Sequence, residues 1–343
     1  QRQMCIRDSS GGTSTAMAVK QLRALRPAPA PALPPPTPRV QTIIHGDLEW
    51  IDIQHPTLAE MNELRQRFGF HPLNLEDCLS KVQRPKIDSY PEQGYLFVVL
   101  HFPRFNKRTR HSEPAEVDLF VGRGYLITVH DGQLKPLAQL LHAAQTDEAL
   151  RARLMGRGSG YLLYRVIDRL VDYIFPILGK VDEHIEYIEN GIFDRNTRDL
   201  VQHLSLVRRD IIALRRIIKP NIPVLRLLTA REWPFLRVDE DIYFGDILDH
   251  LDKQWDMLED AKDIIEGLNS TLDSLTSHRI NEVMKILTII SVILLPMTLL
   301  ASVYGMNVDL PLDEHPAAFS VVVCLMLGAA LGMLFFFRIK KWI

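Results

Sequence analysis

Two runs of residues near the end of the chain limit its architecture more than any other feature. Ile286 to Val303 and Ala317 to Phe337 contain no Asp, Glu, Lys or Arg. At about 1.5 Å of helix per residue, these 18 and 21 residues reach across a hydrocarbon core of about 30 Å, the first only just. A soluble core helix of such length that lacks charge altogether is a poor reading, so both runs are taken as transmembrane helices. Their flanks set the orientation. Arg279 and Lys285 precede the first run and Arg338, Lys340 and Lys341 follow the second, whereas the loop between them carries only Asp309, Asp313 and Glu314 as charges. Lys and Arg accumulate on the cytoplasmic side. Both termini are therefore expected in the cytoplasm and the acidic loop outside, across a cell inner (plasma) membrane.

No earlier stretch is apolar enough to insert, so roughly 280 residues are expected to stay on the side where they are made, with no cleavable signal peptide before them. Residues 1–39 end in "RPAPAPALPPPTPR" and read as a disordered, proline-rich segment that prefers an extended, solvated form. Residues 40–157 read as a cytoplasmic α/β domain, with short β-type runs ("LEWIDI", "YLFVVLHF", "EVDLFV", "YLITVH") between polar turns. Thr57 and Glu60, after Pro56, form a capping box for a helix reaching Phe68. Residues 158–285 read as a helical region of three long stretches, roughly 160–190, 196–229 and 240 onward, the last a stalk that runs into the membrane. Then follow a first span at 286–304, an extracytoplasmic loop at 305–316, a second span at 317–337 and a basic tail at 338–343.

Composition narrows the partners. A formal charge of −2 and the lack of a basic stripe interleaved with aromatics exclude a nucleic-acid footprint. Cys5, Cys78 and Cys324 show no CxxC pair or other ligand spacing and, being odd in number, no disulfide framework.

The third helical stretch has a face of its own. Counted in alternating steps of three and four, Met284, Thr288, Ser291, Leu295, Thr298, Ser302 and Gly305 share one stripe, which holds every Ser and Thr of the first span. Toward the N-terminus the same phase runs through Asn281, Ser277, Ser274, Ser270, Gly267, Asp263, Asp260, Asp256, Lys253, Asp249 and Asp246. A different face carries Leu251, Leu258, Ile265 and Leu272 at seven-residue spacing, which suits packing on neighbouring helices. Hydroxyls in membrane helices commonly bond their own i−4 carbonyls, and acids on a long helix commonly face water. The continuity of the two is what points to an ion path, because carboxylates concentrate cations and neutral oxygens at depth replace water without trapping an ion. One chain with two spans cannot enclose such a path, so several copies must surround an axis. Gly328 and Gly332 give the second span a small-xxx-small pair for close helix contact. Pro296 frees the carbonyl of Val292, which either bends the helix or turns an oxygen toward the lumen.

The run "NEVMKILTIISVILLPMTLLASVYGMN", a short acidic loop, a second span and the tail "RIKKW" together resemble the CorA family of divalent-cation channels. "HPLNLEDCLSKVQRPKIDSYPEQGYLFVVLHF" is similar to that family's cytoplasmic domain, and the likeness covers about residues 40–343. The resemblance implies a funnel-shaped homopentamer with an α/β/α cytoplasmic domain, long helices, two C-terminal transmembrane helices and a pore lined by the first span. It places the outer mouth at Gly305, Met306 and Asn307, with Asn307 oxygens ringing hydrated Mg²⁺, and Tyr304 supporting the loop. A neutral ring suits Mg²⁺, which sheds its water reluctantly. It implies polar pore positions at Thr298 and Ser291, a hydrophobic constriction at Met284 and Leu287, and another apolar ring at Leu295. Leu287 lies one step off the stripe, beside Thr288. Asn281 and Ser302 complete the candidate lining. It also implies that Mg²⁺ bound between cytoplasmic domains holds the path closed, with Asp168 and Asp246 matching acidic positions of that kind. Ser270 stands where the family carries an Asp, so Asp263 or Asp273 is the substitute candidate.

No nucleotide loop, nucleophile constellation or redox motif accompanies these features, so no enzyme activity and no organic cofactor are expected. The membrane potential suffices as a driving force: at about 2.3 kcal/mol per charge per 100 mV, a divalent ion gains roughly 4.6 kcal/mol on entry, about three decades of accumulation. The reading is gated Mg²⁺ influx, with Co²⁺ and Ni²⁺ as accompanying ions. The alternatives are a zinc-transporting, proton-coupled member of the same family and, from another class, a membrane-anchored scaffold.

Overall fold

The computed structural model describes residues 39–80, 83–193, 197–233, 236, 240–306 and 317–342. The proline-rich segment before Arg39 and the loop from Asn307 to Pro316, with its three acids, lie outside them.

Strands β1 (Val40–His45), β2 (Leu48–Gln54), β3 (Lys86–Tyr90), β4 (Tyr95–Asn106), β5 (His111–Gly122) and β6 (Tyr125–His130) form one sheet in the order β1-β2-β6-β5-β4-β3. Its neighbours pair antiparallel except β2 and β6, which run parallel. The two-residue turn between β5 and β6 ends on Gly124 at φ 84°, and a Cβ there would meet the carbonyl oxygen of Asp47 at 3.1 Å.

Both faces of the sheet are covered, which is why β4 reads as an almost unbroken apolar run rather than an alternating one. Tyr95, Phe97 and Val99 pack under α1 (Leu58–Phe68) and α2 (Pro72–Asp77), whereas Leu96, Val98, Leu100 and Phe102 join the larger core on the opposite face. The capping box at α1 is present: Glu60 accepts from the Thr57 backbone N–H at 2.9 Å, and Thr57 Oγ1 accepts from Ala59 N–H at 3.3 Å. The opposite face carries α3 (Lys135–Thr146), α4 (Glu148–Met155), α5 (Ser159–Asp172), α6 (Ile174–Gly191), α7 (Thr197–Ile218) and α8 (Asn221–Thr229). Buried Asn221 ties α8 to β4, donating to the His101 carbonyl at 2.6 Å and accepting its N–H at 3.1 Å.

The first two long helical stretches are each divided, contrary to the sequence reading. The first breaks at Tyr173 because Pro176 has no N–H for the carbonyl of Asp172. The second breaks beside Pro220 for the same reason. The third stretch is a single helix, α9 (Glu240–Tyr304), whose 65 residues run about 100 Å straight through Pro296. α10 (Ala318–Ile339) returns alongside its C-terminal end.

What holds α9 to the soluble part is its seven-residue ladder: Leu251, Leu258, Ile265 and Leu272 are all buried in the larger core. Leu258→Ala is expected to lower the unfolding free energy by about 2–5 kcal/mol, the cost of a cavity where a fully buried leucine was. Denaturant unfolding of the soluble part's fluorescence checks it, and a loss below about 1 kcal/mol would mean the ladder is not a core.

Candidate functional site

Along α9 the polar stripe is continuous in three dimensions as well as in sequence. From Asp246 to Ser277 each of its members is exposed, and so are Asn281, Met284, Thr288, Ser291, Leu295, Thr298 and Ser302, with Leu287 beside them. The side of the span that the chain does cover is different. Ile289 is buried, Lys285, Ile293, Pro296, Met297 and Leu300 are half-buried, and Lys285 Nζ donates to the Lys341 carbonyl at 3.4 Å just past α10. At about 100° per residue, the centre of this covered side lies about 160° around the helix from the polar stripe. α10 thus packs behind α9 and leaves the stripe bare.

The hydroxyls on the stripe are partly committed. Thr288 donates to Met284 O at 2.7 Å, Ser291 to Leu287 O at 2.9 Å and Thr298 to Leu294 O at 2.9 Å. Such back-bonding uses the proton and points the oxygen lone pairs away from the helix, so the stripe offers acceptors. Acceptors are what the outward-pointing hydrogens of a hydrated cation need. Among these oxygens, Met284 and Leu287 before Ser291, and Leu295 between Ser291 and Thr298, are more than half exposed and give the stripe apolar surface.

At the end of α9, Gly305 N–H donates to Ala301 O at 3.0 Å and Met306 N–H to Val303 O at 3.3 Å, so the helix closes as a tight turn. A Cβ on Gly305 would stand 3.1 Å from the Ala301 oxygen, a close approach that favours glycine. Tyr304 and Met306 are exposed, and Asn307 lies outside the described residues.

The candidate regulatory acids fall in three places. Asp168 on α5 is buried, bonded to Arg165 Nη1 at 2.9 Å, and close to Asp246 on α9. Burial raises its carboxyl above the usual carboxylate range, Asp172 and Asp246 push the same way, and Arg165 and His250 oppose them. Asp263 and Asp273 sit elsewhere along α9, exposed, with Asp263 paired to Lys262 at 2.9 Å and Asp273 to Asn269 at 3.3 Å. Sequence reading missed two members of the first group. Asp168, Asp172 and His250 each offer a ligand atom within 4.8 Å of the others, and His250 Nδ1 lies 3.4 Å from Asp172. The signal was present as two i,i+4 pairs, Asp168/Asp172 and Asp246/His250, but only the packing of α5 against α9 joins them. Three carboxylates crowded together repel, and a divalent cation relieves that repulsion. Oxygen donors suit a hard ion, and the imidazole widens the range toward transition metals.

Residues 45–341 match the family model described as CorA-like Mg²⁺ transporter protein. The chain belongs to the CorA family. The cobalt/magnesium transport protein CorA of Thermotoga maritima is 32% identical over 302 residues, covering 86% of this chain and 83% of that protein. The magnesium transporter ALR1 of Saccharomyces cerevisiae is 24% identical and covers 86% of this chain, which spans 40% of its length. In solved structures, the fold is similar to the complete CorA magnesium transporter of Methanocaldococcus jannaschii, with a TM-score of 0.75 at 22% identity over 87% of this chain and 92% of that one. CorA proteins are membrane transporters of divalent cations, and as a CorA protein this chain is a transporter rather than an enzyme. Its two apolar helices, with large side chains such as Leu294, Leu299, Leu331 and Phe335 exposed, supply the membrane part.

Proposed function

We propose that five copies of this CorA protein stand around a common axis in the plasma membrane, α9 stripes inward and both termini in the cytoplasm, and conduct Mg²⁺ inward down the membrane potential. Co²⁺ and Ni²⁺ are accompanying ions. The observation that carries this reading is the bare stripe from Asp246 to Ser302, on the opposite side of α9 from the helix that packs against it. In this arrangement the carboxylates collect cations, Met284, Leu287 and Leu295 form narrow apolar rings that close by dewetting, and the oxygens of Ser291, Thr298 and Ser302 hold the hydration shell. Tyr304, Gly305, Met306 and Asn307 form the outer mouth.

The group of Asp168, Asp246, Asp172 and His250 is the regulatory element in this proposal. Mg²⁺ held there from the cytoplasm offsets the repulsion of the acids and favours the closed arrangement, so internal Mg²⁺ limits its own entry. Asp263 and Asp273 contribute field along the stalk and are separate from that group.

Flux into proteoliposomes with internal Mg²⁺ varied tests both parts. Mg²⁺ uptake driven by a negative-inside potential is expected, with inhibition by internal Mg²⁺. Asp168→Asn together with Asp246→Asn is expected to raise the half-inhibiting internal Mg²⁺ at least about tenfold, the equivalent of about 1.4 kcal/mol of lost ion binding. Unchanged inhibition removes the regulatory assignment. Zinc uptake that requires a pH gradient, with no Mg²⁺ uptake, overturns the magnesium reading.

A further inference from the structure

The sheet buries two carboxylates and treats them differently. Asp52 faces the larger core and is ringed by donors: Thr128 Oγ1 at 2.5 Å, His130 Nε2 at 3.0 Å and Gln54 Nε2 at 3.2 Å. His130 Nδ1 accepts the Gly132 N–H at 2.9 Å, so it is Nε2 that carries the donated proton. Asp118 on β5 faces the other layer, is 3% exposed, and its Oδ1 has no hydrogen-bond partner among the described residues. A buried acceptor left unmade costs about 1–3 kcal/mol, so its retention calls for an occupant.

Asp118 lines a cavity of 310 Å³ at the C-terminal end of α2, together with His55, Cys78, Ser80, Glu116 and Asp131. The lining contains three acids and no Lys or Arg. Lys86, whose charge also reaches Asp118, has its ammonium bound to Asp77 at 2.8 Å and Asp88 at 2.6 Å. Glu116 is engaged at 2.6 Å by the Gln83 N–H and at 3.3 Å by His101. It supplies charge without being a free donor. Burial and then Glu116 hold the Asp118 carboxyl well above the usual carboxylate range. Beside it sits the buried thiol of Cys78, which donates to Asn74 O at 3.2 Å and also lies within hydrogen-bonding reach of the Asp118 carboxyl, whose Oδ1 is the atom left unpartnered. An acid-lined cavity asks for a cation, and a thiol among the acids favours a soft one.

We propose that this cavity is a site for a thiophilic divalent cation of the Co²⁺ or Zn²⁺ class, with Cys78 Sγ and Asp118 Oδ1 as the protein donors and water completing the shell. Binding deprotonates the thiol, as coordination by such ions does. Two donors make a site of modest affinity that exchanges its ion, separate from the Asp168 group, where three donors converge. The site does not depend on the transport reading and is tested without flux.

Full-length protein in detergent, titrated with Co²⁺, provides the test. Thiolate-to-cobalt charge transfer gives a near-ultraviolet band that carboxylate and imidazole sites cannot produce. The expected result is such a band, lost in Cys78→Ser, kept in Cys5→Ser and in Cys324→Ser, and kept under about a hundredfold excess of Mg²⁺, which has little affinity for sulfur. Asp118→Asn retains the thiol and is expected to weaken the cobalt titration at least about tenfold, so it tests the site even if Cys78→Ser fails to fold. No band, a band that survives Cys78→Ser, or a titration unmoved by Asp118→Asn overturns the proposal.

Discussion

Asn307→Ala is expected to cut Mg²⁺ uptake into proteoliposomes at least tenfold and to leave the cytoplasmic domain folded. In the proposed assembly one substitution removes a whole ring of carboxamide oxygens at the outer mouth. If each bond to the hydration shell contributes about 0.5–1.5 kcal/mol, five of them exceed the roughly 1.4 kcal/mol that a tenfold change requires. The backbone before the ring is fixed, since Gly305 N–H and Met306 N–H both bond back into α9 and Gly305 has little room for a Cβ. The ring's chemistry and its placement are thus separable: Asn307→Ala changes the first, whereas Gly305→Val disturbs the second. Uptake that survives Asn307→Ala would leave the loop a mere connection between two spans and remove the outer-mouth assignment.

How far the sequence could be read depended on whether the deciding contact was local. The apolar runs, the α1 capping box and the Leu251-to-Leu272 ladder are periodic signals within one element, and the structure contains each of them. The breaks at Tyr173 and beside Pro220 were visible only as prolines inside otherwise helical patterns, Pro176 in the first and Pro220 and Pro223 in the second, and Pro296 shows why these mislead: the same residue type leaves α9 unbroken. There the low-dielectric surroundings intended for the span favour keeping every other backbone bond inside the helix. The group around Asp168 was half legible, because its four members come from two helices that meet only through packing. Asp118 was hidden in another way. In "EVDLFV" it alternates with apolar residues and so resembles the solvent side of an edge strand, yet α2 covers that side and leaves the carboxyl buried. Asn307 lies outside the described residues, and its place at the outer mouth rests on the family resemblance.

The placement of the axis has the most consequences, and it makes opposite predictions for neighbouring positions. Ser291 lies on the bare stripe, and Ile293, two residues on and so about 160° around the helix, lies on the side turned to α10. In a Cys324→Ser background, a cysteine at Ser291 is expected to react with a cationic, water-soluble thiol reagent and to lose about nine-tenths of its ion flux, since a bulky positive charge in a narrow lumen both fills it and repels the next cation. A cysteine at Ile293 is expected to keep its flux under the same treatment, because its thiol meets an apolar helix where a charged reagent pays several kcal/mol to enter. Cys5 and Cys78 are common to both variants and give them the same background. Were α9 rotated so that the stripe met lipid, Ser291→Cys would be the inert position. Ion passage would then require a route other than the one between protomers, and the acids of the stalk would have no shared axis on which to act.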